Sequence, residues 1–252
     1  MPRYRTLDPD SIIETLEKLE HRIEDRFPGA GLLQVCRELL QAARESKARI
    51  AAVASPNYIL RAISIATVAC GLAMLLYIGT IIEVKRDAEN LYGVLQGFDS
   101  AFNILVLMGA GALFLSGLES RWKRQKVLDH LHELRSIIHV IDMHQLTKDP
   151  SRGPKRSGMT LHSPSRELSS FELTRYLDYC SELLSLSAKV AALYAQGTRD
   201  AVVIETTSDL GQITSNMAGK IWQKITMVQM QMDTDTLAAV APVPASAATE
   251  AK

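Results

Sequence analysis

Two stretches of this chain are long and apolar: ILRAISIATVACGLAMLLYIGTII at residues 59–82 and AFNILVLMGAGALFLSGL at residues 101–118. At about 1.5 Å of rise per helical residue they would extend about 36 and about 27 Å, whereas the hydrocarbon core of a bilayer is about 30 Å thick. Arg61 is the only charged residue within them. Because buried helices of soluble proteins usually carry more polar residues over such lengths, the pair predicts a transmembrane helical hairpin.

The basic residues around this hairpin favour one orientation, since Lys and Arg near membrane spans stay on the cytoplasmic side. The segment between the two stretches contains only Lys85 and Arg86, together with four acidic residues. The outer flanks are richer in basic residues: Arg44, Lys47, Arg49, Arg61, Arg121, Lys123, Arg124 and Lys126. We therefore expect a bacterial inner (cytoplasmic) membrane protein with both termini in the cytoplasm.

The remaining sequence predicts amphipathic helices, so the expected fold class is all-α, with a cytosolic helical bundle built from both termini. Asp8-Pro9 is typical of a helix start, and apolar residues then recur at spacings of three and four. Pro56 should interrupt the second helix. The expected segments are an N-terminal helical pair (1–57), the hairpin (58–118), a cytosolic helix (119–149), a flexible basic linker (150–169), a C-terminal helical pair (170–232) and a disordered tail (233–252).

The composition and the missing motifs argue against several classes of function. The 252 residues have a formal net charge of zero, which gives no reason to expect nucleic acid as a partner. Cys36, Cys70 and Cys180 are widely spaced and form no C-x-x-C, so neither a disulfide framework nor a zinc ribbon is supported. Nucleotide-binding loops, a nucleophile elbow and the kinase motifs are absent as well. No cofactor is predicted.

A polar strip on one helix is the densest group of chemistry-bearing residues. It contains His132, Arg135, His139 and Asp142, with His144 nearby in the His130–144 cluster. His132, His139, Asp142 and His144 are the candidate metal ligands, because imidazole and carboxylate are the usual ligands of zinc and iron. The metalloprotease pattern H-E-x-x-H is missing, however, so hydrogen bonds and ion pairs that orient the bundle explain the strip better. The residues expected to face it from a neighbouring helix are Glu172, Arg175, Asp178, Tyr179 and Glu182.

Small residues recur along both apolar stretches and predict close helix packing in the membrane, either within the hairpin or between copies. They are Ala62, Ala66, Ala69 and Ala73 in the first stretch, and Gly109, Ala112 and Ser116 in the second. No ionisable residue lies deep in either stretch, which disfavours a transporter.

Three functions are compatible with these features. The first is a membrane-tethered scaffold or signalling adaptor that acts through helix–helix interactions, with the lipid bilayer and either a second copy or a helical protein as partners. The second is an oligomeric ion channel or channel regulator, and the third is a metal-dependent membrane enzyme centred on the histidine cluster. The lack of catalytic motifs favours the first.

Two segments resemble uncharacterised bacterial proteins that have two transmembrane helices. They are LRSIIHVIDMHQLTKDP, residues 134–150, and FELTRYLDYCSELLSLSAKVAALY, residues 171–194. The resemblance implies a bacterial inner-membrane location, and it implies no activity, cofactor or catalytic residue.

Overall fold

The computed structural model describes residues 6–56, 58–81, 91–148, 168–198 and 200–240. These residues form helices and no strand, which confirms the all-α prediction for the described part of the chain. The helices are α1 (Pro9–Arg26), α2 (Gly31–Ala54), α3 (Tyr58–Ile81), α4 (Leu91–Leu146), α5 (Ser170–Gln196) and α6 (Ala201–Val240).

The predicted helix start at Asp8-Pro9 is confirmed. The Asp8 carboxylate accepts hydrogen bonds from the amides of Asp10 and Ser11, both at 3.3 Å, so it satisfies donors that have no partner within the helix. The predicted apolar stripe of α1 is buried, and it consists of Ile12, Leu16, Leu19 and Ile23.

Gly29, in the turn between α1 and α2, has a φ of 77°, which L side chains rarely adopt. We expect Gly29→Ala to lower the free energy of unfolding by about 1–2 kcal/mol, because no heavy atom lies near the new Cβ and the backbone alone bears the cost. Gly219→Ala is the matched control, because no heavy atom lies near its new Cβ either. Gly219 lies within α6, where alanine is the better helix former, so this substitution should raise the free energy of unfolding by about 1 kcal/mol. Urea titration of both variants measures the two effects, and equal effects would contradict the left-handed turn.

The helix is interrupted around Pro56 as predicted, since α2 ends at Ala54 and α3 begins at Tyr58. Helix α4 is longer than the predicted second span. It begins at Leu91 and continues without interruption to Leu146, so residues 101–118 and most of the predicted cytosolic helix belong to one element.

Helix α5 begins with a capping box, in which the Ser169 hydroxyl and the Glu172 carboxylate each accept from the other's backbone amide, and it ends at Gly197. Helix α6 continues past Met232, where the sequence analysis ended it, to Val240. Most of the expected linker, from 150 to 167, and the tail from 241 onward lie outside the described residues.

The described residues form two compact units. The first, drawn from Met1–Ile50 and His130–Lys252, is a helical bundle in which α5 is central: 13 of its 27 residues are buried. At one end of α5, Tyr176 lies against His144 of α4. At the other end, the ring centroid of Tyr194 lies 6.1 Å from that of His130, so α4 and α5 are antiparallel.

Helix α2 also packs closely in this bundle. A Cβ on Gly31 would lie 2.5 Å from the imidazole of His144, and one on Gly197 would lie 2.9 Å from Ile50. Ser46 of α2 is fully buried, and its hydroxyl donates to the carbonyl of Ala43 at 2.7 Å. Phe171, in the first turn of α5, is exposed.

The second unit, Ala51–Asp129, contains the end of α2, all of α3 and the first part of α4. In this unit the Met108 side chain of α4 lies over Gly71 of α3, where a Cβ would be 2.7 Å from Met108 Cε. The unit contains both apolar stretches that define the predicted hairpin.

Candidate functional site

The apolar surface of the second unit is the most unusual feature of the molecule. Large apolar side chains on α3 and α4 are exposed, among them Leu107 (76%), Leu113 (76%), Ile63 and Leu72. One described helix, Leu95–Leu146, is long and apolar enough to cross a membrane, and none of its most apolar window is buried; a shorter apolar stretch is Arg61–Met74. Soluble proteins rarely expose contiguous apolar surface of this size.

Ion pairs join the two helices at one end of this apolar surface. The Glu119 carboxylate lies 3.3 Å from Arg61 of α3 and 2.9 Å from Lys123, one turn along α4. The Lys123 ammonium also donates to the carbonyl of Ser55 at 2.7 Å. Side chains and backbone from three consecutive helical segments therefore meet around Glu119.

The described members of the predicted small-residue stripes are mostly exposed, and their packing within the hairpin or between copies stays a prediction. Ala62, Ala66, Ala69 and Ala73 are all exposed, and no heavy atom lies within 4 Å of a Cβ built on Gly109. Ala112 is half-buried, and the side chain of Ser116 lies outside the described part of the structure. One contact between the two helices is that of Gly71 with Met108, and a pattern of small residues alone does not predict it because Met108 is large.

In the bundle, the candidate metal ligands do not converge. His132 and His139 are exposed, and Asp142 accepts a hydrogen bond from Gln145 at 2.6 Å. His144 Nδ1 lies 3.4 Å from the Tyr176 hydroxyl. Burial, and secondarily the charge of Lys148, lowers the pKa of His144. Across the described residues, no group of three or more His, Cys, Asp or Glu side chains is arranged to hold a metal ion.

Two of the α5 residues expected to face the histidine strip, Tyr179 and Glu182, contact α1 instead. Glu182 accepts from both terminal nitrogens of Arg22, at 2.8 and 3.0 Å, and this interaction raises the pKa of Arg22. The same guanidinium lies 5.1 Å above the ring of Tyr179. The remaining predicted partners make local contacts: Arg175 pairs with Asp178, and Glu172 belongs to the cap of α5. Arg135 is half-buried on α4.

Two polar nodes that the sequence analysis missed join α4 to its neighbours. Arg49 of α2 binds Glu133 of α4 at 2.9 Å and Glu45 of its own helix. The ammonium of Lys224 on α6 donates to the carbonyl of Gln145 at 3.0 Å and to its side-chain oxygen. Gln145 is buried and lies four residues after the buried Ile141, on the same face of α4. A polar residue at this spacing from an apolar one could have indicated a buried hydrogen bond.

The two bundle thiols are shielded. Burial raises the pKa of Cys36 to about 12 and that of Cys180 to about 12. Because the thiolate is the reactive form, we expect both to react with a water-soluble maleimide about 10³-fold more slowly in the folded protein than in urea. Labelling at pH 8 followed by peptide mass spectrometry measures this ratio for each thiol. Equal rates with and without urea would show that α2 and α5 are not packed as described.

Comparison with known protein families, curated proteins and solved structures found no match for this chain. The resemblance to bacterial two-span proteins stays a prediction.

Proposed function

We propose that this protein is a membrane-tethered helical scaffold or signalling adaptor. The observation that supports this most strongly is the contrast between its two units. The bundle buries most of its Leu, Ile and Val side chains, whereas α3 and the apolar part of α4 expose many of theirs. Lipid is the solvent in which such a surface is stable, because burying apolar area is worth about 25 cal/mol per Å².

The proposed topology is a hairpin of two spans, α3 and the apolar part of α4. Helix α3 has 24 residues and would extend about 36 Å, which is enough to cross a bilayer. Basic residues precede the first span and follow the second, so both termini lie in the cytoplasm under the positive-inside rule. The bacterial inner membrane is the location that we propose.

The proposed adaptor role uses helix faces that the bundle leaves exposed. Val140, Met143 and Leu146 recur every third residue on α4 and point away from the buried seam. On α6, Trp222, Met227 and Met230 are exposed. Methionine adapts to differently shaped partners, and exposed apolar helix faces are typical docking surfaces for other helices. A second copy of the chain or a helical protein is the partner that we propose.

Photocrosslinking of the full-length protein in native membranes tests this function. A benzophenone amino acid replaces Met143, which is 65% exposed, and in a control variant it replaces Glu14, an exposed residue on the charged face of α1. We expect a discrete adduct from position 143, either at twice the protomer mass or with one helical protein, and none from position 14. Membrane-integrated protein that gives no adduct from position 143 would contradict the adaptor role.

A further inference from the structure

The end of α4's apolar segment is followed by a dense group of cations. Four basic residues lie between Leu118 and Val127, namely Arg121, Lys123, Arg124 and Lys126, and Glu119 is the only acidic residue there. Glu119 is bound by Arg61 and Lys123, as described above. The formal charge of residues 119–126 is therefore +3.

Two of these cations lie over aromatic rings. The Lys126 ammonium is 3.8 Å from the ring centroid of Trp122, and the Arg121 guanidinium is 5.8 Å from that of Phe114. Neither Arg121 nor Lys126 forms an ion pair with any described residue. Trp122 and Phe114 are themselves exposed and adjoin the apolar surface that includes Leu113. Charge and exposed apolar area therefore occur side by side on one stretch of helix.

We propose that Arg121 and Lys126, together with the rings of Trp122 and Phe114, bind the headgroup and the adjoining acyl region of an anionic phospholipid. This inference rests on the proposed membrane location of α4. A phosphodiester joined to acyl chains matches both properties of the surface, because the phosphate pairs with the cations and the chains cover the rings. Free phosphate would match the charge alone. Each basic residue near a membrane surface raises the affinity of a protein for anionic lipid about fivefold.

Quenching of Trp122 fluorescence by brominated lipids tests this proposal. Trp222→Phe leaves Trp122 as the only tryptophan, because the chain contains two. The full-length variant is reconstituted into phosphatidylcholine vesicles that contain 20% phosphatidylglycerol, with bromine on the acyl chains of one lipid or the other. Each intensity is normalised to the same mixture without bromine. We expect the relative binding constant to favour phosphatidylglycerol at least about fivefold.

Substitutions then assign the preference to the proposed residues. Arg121→Gln with Lys126→Gln should lower the preference at least about fivefold, whereas Lys220→Gln, on the exposed surface of α6, should leave it unchanged. Equal quenching by both lipids in the parent would overturn the lipid site but leave the membrane location intact. A preference that is unchanged by the double substitution would overturn the assignment to these residues. No quenching by either lipid would overturn the membrane location, and the lipid site with it.

Discussion

Leu107→Arg is expected to prevent stable membrane integration of the full-length protein. Leu107 lies within residues 101–118 and is 76% exposed, so in water an arginine there would disturb nothing. In the hydrocarbon core the same substitution costs about 3 kcal/mol, because the charge loses its hydration. The fraction of protein that resists alkaline extraction from membranes measures this effect.

Met143→Arg is the matched control for that substitution. Met143 lies on the same helix and is 65% exposed, but it is outside the apolar segment, so its replacement should change stability by less than about 0.5 kcal/mol. Integration of Leu107→Arg at the level of the control would mean that the surface around Leu107 does not face lipid.

Leu184→Ala is expected to destabilise the bundle by about 2–5 kcal/mol. The Leu184 side chain is 0% exposed in the middle of α5, so the truncation leaves a cavity in addition to the lost transfer free energy. Urea titration in detergent micelles, followed by exposure of the Cys180 thiol, reports on the bundle alone because α5 carries that thiol.

Phe171→Ala supplies the comparison on the same helix. Phe171 is larger than Leu184, but it is 52% exposed, so its loss should cost less than about 1 kcal/mol. If Phe171→Ala proved as costly as Leu184→Ala, the first turn of α5 would be packed more tightly than the structure shows.

Local sequence signals predicted the helices well, for physical reasons that act over a few residues. Asp8 and Ser169 satisfy amide donors at helix starts, and Pro56 cannot donate the hydrogen bond that would continue α2. The apolar period of α1 also identified its buried face. Each of these effects depends on the residue and its neighbours along the chain.

The sequence could not predict which helix faces pack against each other, because periodicity shows which face of a helix is buried but not which neighbouring helix covers it. Glu182 and Tyr179 were expected to face α4, yet they contact Arg22 of α1. Both arrangements satisfy the same amphipathic pattern. Helix α5 lies at the centre of the bundle and therefore buries residues on several of its sides, whereas an amphipathic helix buries one.

For the candidate site residues too, the sequence predicted polar positions but not the partners of the side chains. The sequence identified polar residues at the edges of the seams, including Asp142 and His144, but the structure gives them hydrogen-bonding neighbours rather than a shared ligand. Arg49 was noted only for its charge, because a contact with Glu133, far away in the chain, leaves no local pattern.

Nitroxide accessibility at position 107 is the most direct measure of what surrounds the apolar helices. The spin label is attached to Leu107→Cys in a Cys70→Ala background, where the shielded Cys36 and Cys180 are not expected to compete. In the full-length protein reconstituted into vesicles, we predict high collision rates with oxygen, which concentrates in hydrocarbon, and low rates with a water-soluble nickel chelate. Low rates with both reagents would place residue 107 inside protein, and high rates with the nickel chelate would place it in water; either result would contradict a hairpin that spans the bilayer.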